Sequence, residues 1–174
     1  MTCIAAIVQD GEVYMAGDRG ASEPHIILPL QNPKVWRKGE YLFGYYGTMH
    51  GEIVQNYFIP PKLPTTNIDK FMRSTFRQAL KDFYAEWSIS SSDAEDFGML
   101  IGVKGNVYEH NMQDLSMTSF DGVNYISAGS GDAYAIGSLY STKHYKDPKK
   151  RLRMALEAAV QFSPTCQAPI DVIS

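Results

Sequence analysis

Apolar residues run unbroken from Cys3 to Val8 (CIAAIV), the polar stretch QDGE follows, and Val13 to Asp18 form a second, largely apolar run. An unbroken run this short predicts a strand buried on both faces, and the turn signal between the two runs makes the opening a hairpin. A strand pattern starting at Thr2 also implies that the N-terminus is tied down rather than frayed. SEPHIILPLQNP carries three prolines and excludes a regular helix. KVWRK and YLFGYYG, joined by a turn at Gly39, predict a second strand pair.

From Thr48 the period changes. MHGEIVQNYF reads as a short helix ended by IPPKLP, and Asn67 is expected to cap a longer one with Ile68, Phe71, Met72, Phe76, Ala79, Leu80, Phe83 and Trp87 at helical spacing. SISSSDAED reads as a polar loop, FGMLIGV and VYEHNM as a hairpin, and VNYISAG as a strand leading through GSGD into the helix AYAIGSLYST. Asp147 with Pro148 signals the start of the last helix, and PIDVIS a closing strand. Helices arriving in pairs between hairpins argue against single parallel crossovers. They suit an α+β fold, a four-layer αββα sandwich of two antiparallel sheets with a helix pair on each outer face.

The chain has 174 residues and a formal charge of -3, with 44% apolar and 20% charged residues. That length suits one domain with its own core, and the charge leaves no electrostatic case for nucleic acid. The basic stretch KDPKKRLR is expected to be a solvated helix face. No membrane span and no signal peptide is predicted, which points to the cytoplasm, where Cys3 and Cys166 are expected as free thiols. No cofactor or metal is expected, since neither cysteine has metal-ligand spacing and GSG is too short for a dinucleotide loop.

Threonine in second position permits removal of Met1, which exposes an α-amine beside a hydroxyl. With a reference pKa of about 7.7 to 8.0, that amine can act as base toward its own side chain. Such a site needs a cation to keep the amine partly unprotonated, a carboxylate to hold the cation, and N–H donors for an oxyanion. Asp18 ends the return strand of the first hairpin and Lys34 begins the third strand. Gly44 is a glycine inside a strand, a position that fits close backbone approach or a bulge.

Thr2, AGDRGAS with Asp18, KV at Lys34, FGYYG at Gly44 and AGSGD at Ser130 together resemble the proteasome β-subunit and HslV-like N-terminal threonine hydrolases. The resemblance extends over nearly the whole chain and implies one Ntn-hydrolase domain over 1–174. It implies Thr2 as nucleophile and base, Lys34 lowering the amine pKa, Asp18 orienting Lys34, the Gly44 N–H as oxyanion donor and Ser130 holding the amine. Ala21, Asn32, Trp36, Leu42 and Tyr46 would line an apolar slot for the residue before the cut, with Trp36 lying across from Leu42 and Tyr46. The family's supporting aspartate near the end of the last helix is absent, with Gln161 in its place.

The resemblance further implies a threonine endopeptidase within a stacked homo-oligomeric ring, peptide or unfolded protein as substrate, and an AAA+ unfoldase as possible partner. Neither nucleic acid nor a membrane is expected to bind. Two other readings stay open: a non-catalytic ring or scaffold descended from such a peptidase, and another N-terminal-nucleophile amidase, using Cys3 if two residues were removed.

Overall fold

A computed structural model describes residues 2–23, 25–90, 92, 96–120 and 122–174, so Met1 and part of the expected polar loop at 88–96 lie outside the described residues. The chain is mixed α+β and its sheets are antiparallel. β1 (Ile4–Gln9) and β2 (Glu12–Asp18) form the opening hairpin, turning at Asp10 and Gly11, both at positive φ. With β10 (Tyr125–Ala128) and β11 (Ile170–Ile173) they make a sheet of order β10-β1-β2-β11. A second sheet runs β5 (Val35–Lys38), β6 (Tyr41–Tyr46), β7 (Gly98–Val103), β8 (Asn106–Asn111) and β9 (Ser116–Ser119).

Side-chain alternation along these strands decides where the core sits. In and just before β1, Cys3, Ala5 and Ile7 pack with Ala135 and Leu139 of α4 (Asp132–Ser141) and with Leu152, Ala155, Leu156 and Ala159 of α5 (Pro148–Phe162). Ile4 and Ala6 face the other way and join Val13, Met15, Val35, Leu42 and Leu100, a cluster shared by both sheets. In β6 the odd residues Tyr41, Phe43 and Tyr45 pack with Val54 of α1 (His50–Tyr57) and with Leu80, Phe83 and Tyr84 of α3 (Arg77–Glu86). A π-helical turn, Met72–Phe76, joins α3 to the short α2 (Ile68–Phe71) and buries Met72 and Phe76 in the same cluster. Unbroken apolar runs thus become strands with a packed layer on each side.

Several local expectations change. Asn67 stands at the head of α2 in the left-handed region, φ 56°, and its side chain makes no cap hydrogen bond. Asp147 does cap α5, its Oδ1 accepting from Lys149 N at 2.9 Å and Lys150 N at 3.2 Å, with Pro148 as first helical residue. Arg151, in the basic stretch expected to be solvated, is buried and donates from Nη2 to Leu139 O near the end of α4 at 3.0 Å. The proline-rich segment contributes a small ladder of β3 (Gly20–Glu23) and β4 (Ile26–Pro29), and β9 adds a strand the polar pattern around Ser116 does not announce.

Candidate active site

Three elements converge on the start of β1. Thr2 leads into it, Asp18 ends its hairpin partner, and Lys34 precedes β5 at the edge of the facing sheet, where the bond from Tyr45 N to Lys34 O (3.1 Å) continues the β5–β6 ladder. All three are buried: Thr2 is 1% exposed, Asp18 0% and Lys34 1%. Lys34 Nζ donates to Thr2 Oγ1 at 2.7 Å, to Asp18 Oδ1 at 3.3 Å and to Gly20 O. Burial lowers the Lys34 pKa below the usual lysine value, partly opposed by Asp18. This ammonium therefore gives up its proton more readily than a surface lysine does, while lying against the threonine hydroxyl.

Asp18 does more than hold the lysine. Its Oδ1 accepts from Cys3 N at 2.9 Å, and its Oδ2 from Gly20 N at 2.8 Å and Gln167 N at 3.0 Å. One carboxylate thereby fixes the start of β1, the β2–β3 corner and the segment after α5. The thiol of Cys3 beside it is raised well above the usual range, chiefly by burial, and so is poorly suited to nucleophilic work.

On the other side of Thr2, Ser130 Oγ accepts from Thr2 N at 3.2 Å and lies 2.6 Å from Thr165 Oγ1, which in turn lies 3.0 Å from Ser163 Oγ. Gly129, at φ 94°, lets the backbone pass so close that a Cβ there would stand 2.3 Å from Thr2 O. Thr165, Ser163, Gly129 and the Gly20 carbonyl were not foreseen. The only signal for the hydroxyl pair is the polar SPTC after α5.

Gly44 lies elsewhere in the fold than a donor facing Thr2 requires. Tyr45 N–H is directed at Lys34, and successive N–H groups of a strand point to opposite edges, so Gly44 N–H is directed at β7 opposite Leu100. Its missing side chain has a packing reason: a Cβ would meet Ile4 Cγ2 at 2.6 Å and Met15 Sδ at 2.9 Å, where the two sheets touch.

The expected slot is also rearranged. Leu42 and Tyr46 do share a face, but it is the one between the sheets. There Leu42 is 3% exposed and Tyr46 Oη donates to Glu109 Oε1 at 2.9 Å. Trp36 pairs with Phe43 in the register and stacks on it at 5.2 Å, on the helix side of the sheet. Trp36, Leu42 and Tyr46 therefore cannot line one slot. Ala21 is half-buried in β3 opposite Leu28, and Asn32 is exposed.

Among the described residues no group of three or more His, Cys, Asp or Glu could hold a metal ion, and no helix is long and apolar enough to cross a membrane. No protein-family profile and no curated protein matches the chain. Solved structures do. BPH of Thiobacillus denitrificans in complex with epoxomicin is 20% identical, with 99% of this chain and 97% of that one covered at a TM-score of 0.78. BPH alone gives 19% identity, 99% and 96% coverage and 0.75. A eukaryotic HslV from Trypanosoma brucei gives 16% identity, 99% and 98% coverage and 0.71. Across nearly its whole length, the chain has an HslV-like fold.

Proposed function

We propose that the chain is a threonine peptidase subunit of the proteasome and HslV type, one domain over 1–174, built as a four-layer αββα sandwich and active once Met1 is removed. The observation that carries this reading is the 2.7 Å bond from Lys34 Nζ to Thr2 Oγ1 in a pocket shared with Asp18. The freed Thr2 amine takes the proton of Oγ1, and Oγ1 forms a bond to the scissile carbonyl carbon. The resulting oxyanion needs an N–H donor, and we assign this to Gly47 rather than Gly44. Two residues beyond Tyr45, its N–H alternates back to the Lys34 side, and Tyr46 Cβ lies within 3.3 Å of a Cβ placed on Gly129 beside Thr2. Collapse breaks the C–N bond as the amine returns the proton to the leaving nitrogen, and water then hydrolyses the ester on Thr2 with the amine as base.

Assembly into a homo-oligomeric ring, delivery of unfolded chains by an AAA+ unfoldase and a cytoplasmic location belong to the same proposal. A second reading has one observation in its favour. Thr2 is 1% exposed with Met1 attached, so an unprocessed chain would be a non-catalytic ring or scaffold protein.

The test starts from intact mass, which reports Met1. Processed protein is then offered fluorogenic peptides and epoxomicin, the compound held by the Thiobacillus denitrificans protein. Cleavage that is lost in Thr2→Ala, with an epoxomicin adduct mapping to Thr2, is the expected result. Processed, folded protein that neither cleaves nor forms the adduct refutes the peptidase reading.

A further inference from the structure

The nitrogen of Thr2 donates to Ser130 Oγ at 3.2 Å, and Ser130, which follows β10, is joined in turn to Thr165 and Ser163, which follow α5. Each hydroxyl has one proton to give. Ser130 has Thr165 Oγ1 at 2.6 Å and Thr2 O at 3.3 Å within reach of its own, and either partner can donate the 2.6 Å bond or the 3.0 Å bond between Thr165 and Ser163. The row is continuous from Ser163 through Thr165 and Ser130 to Thr2.

We propose that this continuous row of hydroxyls, with Thr165 as its central positioning residue, orients the Thr2 amine for proton exchange where relatives would use an aspartate. Gln161, which stands in place of that aspartate, is exposed on α5 and takes no part in the row. The inference rests on the peptidase reading for its functional consequence. Once Met1 is removed, Ser130 Oγ at 3.2 Å is placed to accept from one amine N–H and so to restrain its rotation. Neutral hydroxyls also do not hold the amine protonated as a carboxylate would.

The charged and titratable groups around this end of Thr2 are few. Lys34 and Asp18 face it from β5 and β2, and Cys3 adjoins it. Cys166 approaches from the segment after α5, Asp132 from the first turn of α4, and Tyr46 from the end of β6, bonded to Glu109 of β8.

The experiment uses Met1-processed protein with Thr165→Val, Thr165→Ser, Thr165→Asp and Ser163→Ala. Thr165→Val keeps the volume and removes the hydroxyl. It should lower kcat about tenfold, the worth of one hydrogen bond, with KM unchanged. Thr165→Ser should restore the rate, which a packing role for the methyl group would not. Thr165→Asp should raise the pKa of the Thr2 amine, read by NMR on 15N-threonine-labelled protein, by about one unit or more. Ser163→Ala, one step further out, should give a smaller loss and decides the matter if Thr165→Val does not fold.

Wild-type kcat and pH profile in Thr165→Val overturns the proposal, as does a Thr165→Ser variant as impaired as Thr165→Val. An amine pKa unmoved by Thr165→Asp overturns it too, and this readout needs no activity. A wild type that never cleaves peptides, with the expected amine shift in Thr165→Asp, refutes the peptidase reading and leaves the hydroxyl row standing.

Discussion

Replacing Lys34 by methionine keeps most of the side-chain volume and removes the ammonium, and the structure separates two consequences. The first is electrostatic. Two unit charges about 4 Å apart at an effective dielectric of about 20 interact by about 4 kcal/mol, or about three pKa units. An ammonium in contact with Thr2 Oγ1 should hold the freed amine of the same residue below its reference value. Without it the amine returns toward about 8, so only about a tenth is unprotonated near neutrality.

The second consequence does not depend on pH. A hydrogen bond to a charged group contributes about 1.5 to 3 kcal/mol, so losing the bond to Thr2 Oγ1 should lower the alkaline plateau by about ten- to hundredfold. The assay is kcat/KM on a fluorogenic peptide from acid to alkaline pH, alongside thermal unfolding. Lys34→Met should show both the shifted acidic limb and the lowered plateau. An acidic limb at the wild-type position refutes the electrostatic role, and a wild-type plateau refutes the contact with the nucleophile.

Stability supplies an independent check on Lys34. Its folded pKa is lowered by burial, so between that value and the ordinary lysine value the unfolded chain binds more protons. Wild-type stability should therefore rise with pH through that window relative to Lys34→Met, with the burial penalty fully present below it. A difference that falls with rising pH contradicts the assignment.

Thr2→Ala should abolish peptide cleavage while leaving fold and assembly intact, and residual activity near wild type removes Thr2 as nucleophile. Leu42→Ala, emptying a buried site between the sheets, should destabilise by about 2 to 5 kcal/mol in denaturant unfolding and leave cleavage preference alone. A peptide series in which Leu42→Ala alters the preference contradicts its placement between the sheets. Light scattering should find a closed multi-subunit particle. A monomer throughout the micromolar range refutes the ring.

Much of what depends on neighbours in sequence or on strand period was legible without the fold. CIAAIV is a strand packed on both faces because six apolar residues in a row have no polar side to offer solvent, and Asp147 with Pro148 starts a helix because both act on their own turn. Thr2, Asp18 and Lys34 could be grouped from a hairpin and the strand after it, since β1 and β2 pair directly.

Asn67 has the residue type of a cap, but its left-handed backbone leaves the side chain without a cap bond, and residue type alone does not set φ. Parity defeated the slot: Trp36, Leu42 and Tyr46 all suit an apolar lining, but the register pairing Trp36 with Phe43 sends it to the opposite face from the other two. Parity likewise sends the Gly44 N–H to β7, while Ile4 and Met15, which fill the place a Cβ would take, explain why glycine is there. Thr165 and Ser163 were least legible, because they join Ser130 beside Thr2 only after α4 and α5 have packed against β1 and Asp18 has bound Gln167 N. Contacts between segments so far apart in sequence leave no local spacing to read, and only tertiary packing decides them.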